Sequence, residues 1–218
     1  LKPVHMGSKF DLKDNILNIV SVDGVRMALR KEKIEFDDIS FVVPGKALGE
    51  IFRMLDETSE NDAVLCVERN QISFEIGSYI IISRLLEGDF INYRNAMSFE
   101  TDIIAEVNVR ELADSLERTL LLINEKHKSP VRLEFKDEWL SVSCTTALGK
   151  INDKIRVSYN GTPLVIGVNA KYLLEAIKHS ESDMVRIMLS GSLSPIKILP
   201  KDGDSFIFLV LPIRMKGE

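Results

Sequence analysis

Lys46–Arg53 reads KALGEIFR and Lys171–Lys178 reads KYLLEAIK. The two octets hold lysine, leucine, glutamate and a basic end in register at an offset of 125 residues, and their neighbours follow suit. DNILNIVS from Asp14 parallels DEWLSVSC from Asp137, and YIIIS from Tyr79 parallels FIFLV from Phe206, at offsets of 123 and 127. Similar elements recurring in one order at nearly one spacing fix an architecture before any motif is read. They predict two tandem copies of one domain, residues 1–98 and 99–218, joined near NAMSFET at residues 95–101.

Within each copy the dominant period is two. ILNIVSVDGVRMALRKE alternates and turns at Asp23-Gly24, a strong hairpin signal. AVLCVERNQISFEIGSYIIISRLLEG supplies three further short strands, broken at Arg69-Asn70 and Gly77-Ser78. The second copy does the same in VRLEFKDEWLSVSC, DKIRVSYNG, MVRIMLSGSLSPIKIL and the closing apolar run. The expected class is α+β, antiparallel sheet with few helices. Residues 107–126 are expected to form a helix, because Val109, Leu112, Ala113, Leu116, Leu120 and Ile123 fall on one stripe. Its counterpart in the first copy falls before or across residue 1, so that copy is expected to lack its opening helix and the chain to be N-terminally truncated. His5-Met6-Gly7-Ser8 resembles a cloning scar, but it sits inside a sensible strand lead-in and is read as native.

Composition narrows the function classes. With 45% hydrophobic and 28% charged residues in 218, the chain is expected to fold as an ordinary soluble, cytoplasmic protein rather than remain disordered. The longest apolar run, Phe206 to Pro212, is too short to span a bilayer. Cys66 and Cys144 lie in strand-like stretches and are expected to be buried thiols, and Trp139 is expected in the core. His5, His127 and His179 are scattered, and no phosphate loop, nucleophile elbow or dinucleotide turn occurs. The acid pairs Asp37-Asp38 and Asp56-Glu57 read as solvated turn and helix-end carboxylates. No catalytic residue, metal site or cofactor is expected.

Two surface features resist a purely structural reading. Leu121 and Leu122 lie off the core stripe of their helix and suggest either a protein interface or packing on a neighbouring strand. Lys46 and Arg53, Arg110 and Arg118, and Lys171 and Lys178 form basic pairs seven or eight residues apart, each opposite an apolar stripe; the interleaved Glu50, Glu117 and Glu175 fit an ordinary solvated face as well.

SVDGVRMAL, FVVPGKALGEIFRML, LLEGDFINYRN, INEKHKSPVRL, IGVNAKYLLEAI and LVLPIRM resemble, in that order, the bacterial sliding clamp, the beta subunit of DNA polymerase III. The resemblance covers the whole chain as the family's second and third domains, and implies the DNA-clamp fold, with sheets outside and helices lining a central hole when the ring is complete. It implies a non-catalytic accessory subunit that encircles duplex DNA without reading its sequence and forms a homodimer at full length. A fragment of this extent is expected to be monomeric. Lys46, Arg53, Arg110, Arg118, Lys171 and Lys178 would face the DNA, and Leu121 and Leu122 would lie at the ring interface.

The resemblance further implies a pocket between the two domains that captures short peptides of the replicative polymerase, the clamp loader and other clamp-motif proteins. Its residues would be Val22, Gly24, Val25, Arg26, Met27, Ile91, Asn95, Ala96, His127, Asn169, Tyr172, Leu193 and Pro195. The terminal Leu209, Val210, Leu211, Pro212, Ile213, Arg214 and Met215 would add a wall that is half strand and half open. Val25-Arg26-Met27 stands where the family often has His-Arg-Leu, and INYRN where it has Pro-Asp-Tyr-Arg-Arg, which removes charge and a proline from the rim. A stand-alone peptide-binding module with no DNA role is the alternative.

Overall fold

The structure, a computed structural model, describes residues 2–55, 63–123 and 129–215. The chain divides into two compact units, one of Leu1–Gly24 with Leu29–Tyr93, the other of Val25–Ala28 with Arg94–Glu218.

The first unit opens with a 3₁₀ turn, Pro3–Met6, followed by β1 (Gly7–Lys13), β2 (Ile16–Val22), β3 (Arg26–Lys33, whose first three residues belong to the second unit), β4 (Ile39–Pro44) and α1 (Gly45–Met54). β5 (Val64–Val67), β6 (Gln71–Ile76) and β7 (Tyr79–Arg84) complete it. Asp14 and Asn15 take positive φ between β1 and β2, where short polar side chains tolerate the left-handed region. β1 pairs antiparallel with β2 on one side and β4 on the other, giving the order β3-β2-β1-β4. Gly7 and Ser8 pair with Pro44 and Val43 inside this sheet. β5-β6-β7 form a second sheet. Phe10, Val43 and Ile51 bury against Ile72 and Phe74, so the alternating apolar positions of both sheets and the stripe of α1 share one core.

The second unit begins with β8 (Ile103–Asn108) and α3 (Val109–Leu120), after the short α2 (Tyr93–Met97) at the division. Then come β9 (Val131–Lys136), β10 (Trp139–Thr146), β11 (Gly149–Arg156), β12 (Ser158–Asn160), β13 (Leu164–Val168), α4 (Ala170–Lys178), β14 (Met184–Leu189), β15 (Ile196–Pro200) and β16 (Phe206–Val210). One sheet runs β11-β10-β9-β13 and another β12-β8-β14-β15-β16. Between them Leu133, Phe135, Leu140, Ile166 and Ile187 meet Leu112 and Leu116 of α3 and Leu173 and Ile177 of α4. Each of these fully buried apolar side chains contributes about 1.5–3 kcal/mol of transfer free energy.

The repeat seen in the sequence is a repeat of topology. β3-β2-β1-β4 followed by α1 matches β11-β10-β9-β13 followed by α4, and β5-β6-β7 matches β14-β15-β16. Asp137, at the β9–β10 turn, repeats the positive φ of Asp14. β8 and α3 have no counterpart among the described residues of the first unit.

Three expectations are corrected. The helix over 107–126 is α3, 109–120: Val107 and Asn108 pair with Val185 and Met184 in β8, and the Asn108 side chain accepts from the Glu111 amide at 3.0 Å, capping the helix. Residues 124–126 lie outside the described residues. Cys66 is exposed; only Cys144 is buried, and burial pushes its thiol pKa up from 9.0. Trp139 is 46% exposed, because strand alternation places it with Ser141 and Ser143, opposite the core residues Leu140 and Val142.

Candidate functional site

Within the second unit the sequence-predicted residues gather where several strand ends meet the first turn of α4. Ile196 pairs with Val210, so Pro195 stands beside Leu211. The Leu211 amide donates to the Val25 carbonyl at 2.9 Å, and two residues on the Ile213 amide donates to the Gly167 carbonyl at 2.8 Å. The chain beyond β16 is thus anchored by its backbone, while Leu211 and Ile213 remain 42% and 37% exposed. Leu193, in the loop before β15, is 65% exposed.

Gly167 makes this anchoring sterically possible. A Cβ there would lie 2.5 Å from the Ile213 carbonyl oxygen and 2.8 Å from the Met215 side chain, distances no side chain tolerates. Asn169 follows as the cap of α4, accepting from the amides of Lys171 and Tyr172 at 3.0 and 3.3 Å. Tyr172 stacks under Arg26, whose guanidinium lies 4.4 Å from the ring centroid and pairs with Glu175. A further contact fixes the segment after Asn95 and Ala96. The Lys197 ammonium donates to the Met97 carbonyl at 2.8 Å and sits 4.3 Å from the Phe99 ring, with burial lowering its pKa.

Not every predicted wall residue offers a side chain. Leu209 and Val210 are buried in β16, and Met27 is buried in β3, so the open part of the terminal segment starts at Leu211. Val22, Gly24 and Ile91 belong to the first unit; Gly24 has φ 87, the turn conformation that favours glycine. His127, with the pair Asp56 and Glu57, lies outside the described residues. The Arg26–Glu175 pair, the role of Gly167 and the Lys197 contact were missed from sequence.

The six basic candidates divide into two sets. Arg53 is held by Glu50 at 2.7 Å, Arg118 by Asp153 at 2.7 Å and Lys178 by Glu117 at 2.5 Å. Lys46, Arg110 and Lys171 are exposed and have no ion pair among the described residues. At the end of α3 Leu121 is 80% exposed, whereas Leu122 is half-buried. Among the described residues there is no cluster of three or more His, Cys, Asp or Glu arranged to hold a metal, and no helix long and apolar enough to cross a membrane.

An antiparallel α+β unit used twice in tandem, with its helices laid against sheets, defines the DNA-clamp fold. Residues 1–92 match the family described as DNA polymerase III beta subunit, central domain, and residues 95–214 match its C-terminal domain; the chain belongs to this family. The Beta sliding clamp of Halalkalibacterium halodurans is 31% identical over 98% of this chain and 58% of its own length; that of Staphylococcus epidermidis is 30% identical over 98% and 57%. The chain therefore spans less than two thirds of these relatives. Among solved structures, a putative DNA polymerase III beta subunit from Eubacterium rectale superposes with TM-score 0.93 at 29% identity, covering 97% of this chain and 58% of that one. The Pseudomonas aeruginosa sliding clamp bound to griselimycin gives 0.89 at 26%, covering 96% and 57%.

Proposed function

We propose that this chain is the central and C-terminal portion of a replicative sliding clamp, a processivity factor without catalytic residues that acts in the cytoplasm. Duplex DNA is held by topology, and exposed cations on the helices supply a weak, sequence-independent attraction to phosphate. The replicative polymerase, the clamp loader and repair proteins are tethered by short peptides. In the full-length protein, Leu121 and Leu122 serve the homodimer interface; the 218-residue chain alone is monomeric.

The observation that carries the reading is the backbone-anchored terminal segment with Leu211 and Ile213 left open, Leu193 being exposed in the loop before β15. Such a face suits a peptide with two large apolar anchors, worth about 3–6 kcal/mol gross on burial, before ordering costs are subtracted. Hydrogen bonds from a glutamine would bring the total towards the roughly −8 kcal/mol of a micromolar complex, weak enough for partners to exchange.

Fluorescence anisotropy with a labelled peptide carrying glutamine, leucine and phenylalanine tests this. A micromolar Kd is expected, rising at least tenfold in Leu211→Asp and several-fold in Met215→Ala. Unaltered affinity in both variants would remove the terminal segment from the site.

A further inference from the structure

The face of the β11-β10-β9-β13 sheet turned away from the core carries a polar trough. Along β10 the outward residues after Trp139 are Ser141, Ser143 and Thr145, all short and hydroxylated. Long side chains flank them: Ser141 lies between Glu134 of β9 and Lys154 of β11, and Ser143 between Arg132 and Asn152. Short side chains in the middle column and long ones on both sides make a trough of about 640 Å³. From Trp139 to Thr145 it runs for roughly 20 Å at the rise of a strand.

Its charge opposes that of the whole chain, which is −5 overall. Four cations line the trough against two carboxylates, Glu134 and Asp137. Arg132 neutralises Glu134 at 2.5 Å. Lys136, Lys150 and Lys154 are exposed and have no ion pair among the described residues. At one end the half-exposed Trp139 sits directly between Lys136 and Arg156 across the two strand pairings. Apart from that indole no apolar side chain lines the trough, so a peptide would find no pocket for its anchors. A hydroxyl floor, free ammonium groups along the walls and one aromatic face match a flexible polyanion with stackable bases.

We propose that this trough binds single-stranded nucleic acid, with phosphates on Lys136, Lys150 and Lys154, sugar and phosphate oxygens over the serine and threonine hydroxyls, and a base stacked on Trp139. Trp139 is the sole tryptophan of the chain, so its fluorescence reports occupancy directly. Titrating the 218-residue chain with a 20-nucleotide oligothymidylate at low salt is expected to quench that emission. Affinity should fall as salt rises. The double variant Lys150→Glu/Lys154→Glu, with an unchanged thermal midpoint as proof of folding, should bind at least tenfold more weakly and lower the slope of log affinity against log salt by about 1.4, two single-strand phosphate contacts. Lys136→Glu should weaken binding independently. Absence of quenching, quenching indifferent to these reversals, or equal quenching by a 20-base-pair duplex or by polyglutamate would overturn the proposal.

Discussion

The Arg26 guanidinium lies 4.4 Å from the centroid of the Tyr172 ring and is ion-paired with Glu175, one turn further along α4. This ties Arg26, in the Val25–Ala28 stretch of the second unit, to a helix of the same unit about 150 positions later in the chain. The pair is about one-third exposed, so solvent screens it and its contribution is modest. Arg26→Ala is expected to cost about 1–2 kcal/mol and Tyr172→Leu, which leaves the ion pair, about 0.5–1 kcal/mol. For a chain of this size these correspond to thermal midpoints lowered by roughly 2–8 °C and 1–4 °C, read by circular dichroism. Identical midpoints for wild type and Arg26→Ala would show that the link adds nothing.

Gly167→Ala places a methyl group 2.5 Å from the Ile213 carbonyl oxygen. Since β13 is held on its core side by the buried Ile166 and Val168, the terminal segment is the part that yields. The expected cost is about 1–3 kcal/mol. Trypsin should cleave after Arg214 several-fold faster, and affinity for the clamp-motif peptide should drop about as far as in Leu211→Asp. Mass spectrometry of a digestion time course and the anisotropy assay check the two outcomes.

The cysteines should react in two phases. Cys66, exposed in β5, is expected to be modified by a thiol reagent in the native protein at pH 8, whereas Cys144 reacts only on unfolding. Burial raises the Cys144 pKa above 9.0, so the neutral thiol is the form the fold accommodates. Its contribution to stability is complete below pH 9.0 and is lost as pH rises through the raised value. Cys144→Ser, lacking that titration, should show a flatter decline of stability above pH 9. Two equivalents modified at one rate in native protein would contradict the assignment.

Association with duplex DNA should depend on the cations that no carboxylate already holds. Reversing Lys46, Arg110 and Lys171 to glutamate is expected to reduce the slope of log affinity against log salt by about 2.7, three duplex phosphate contacts. Reversing Arg53, Arg118 and Lys178 should change the slope less and the thermal midpoint more, because it breaks ion pairs with Glu50, Asp153 and Glu117. An unchanged slope in the first variant would take those three residues off the DNA.

Much of the fold was legible because a repeat records itself in residue order. KALGEIFR and KYLLEAIK are α1 and α4, and YIIIS and FIFLV belong to β7 and β16. The start of α3 was misread because Val107 satisfies both a strand and a helical period; Asn108 followed three residues later by Glu111 was the available capping signal. Trp139 and Cys66 were assigned to the core by residue type; Trp139 has the opposite parity to the core residue Leu140, which already turned it outward, whereas β5 leaves Val64, Leu65 and Cys66 all exposed, so alternation gave no guide to Cys66. The site was less legible. Arg26 and Glu175 meet across 149 positions, and Gly167 matters only because another part of the backbone crosses it, neither of which leaves a local pattern.

Ser115, fully buried in α3, donates to the Asp153 carboxylate at 2.9 Å, and Arg118 one turn on donates to the same oxygen at 2.9 Å. One acceptor on β11 therefore sets the rotation of α3 about its own axis, and with it the direction in which Leu121 projects. A partner docking on that leucine, as the proposed ring interface requires, would meet a shape settled in advance, with little conformational freedom left to lose on contact. Joining and parting there would then require no rotation of α3.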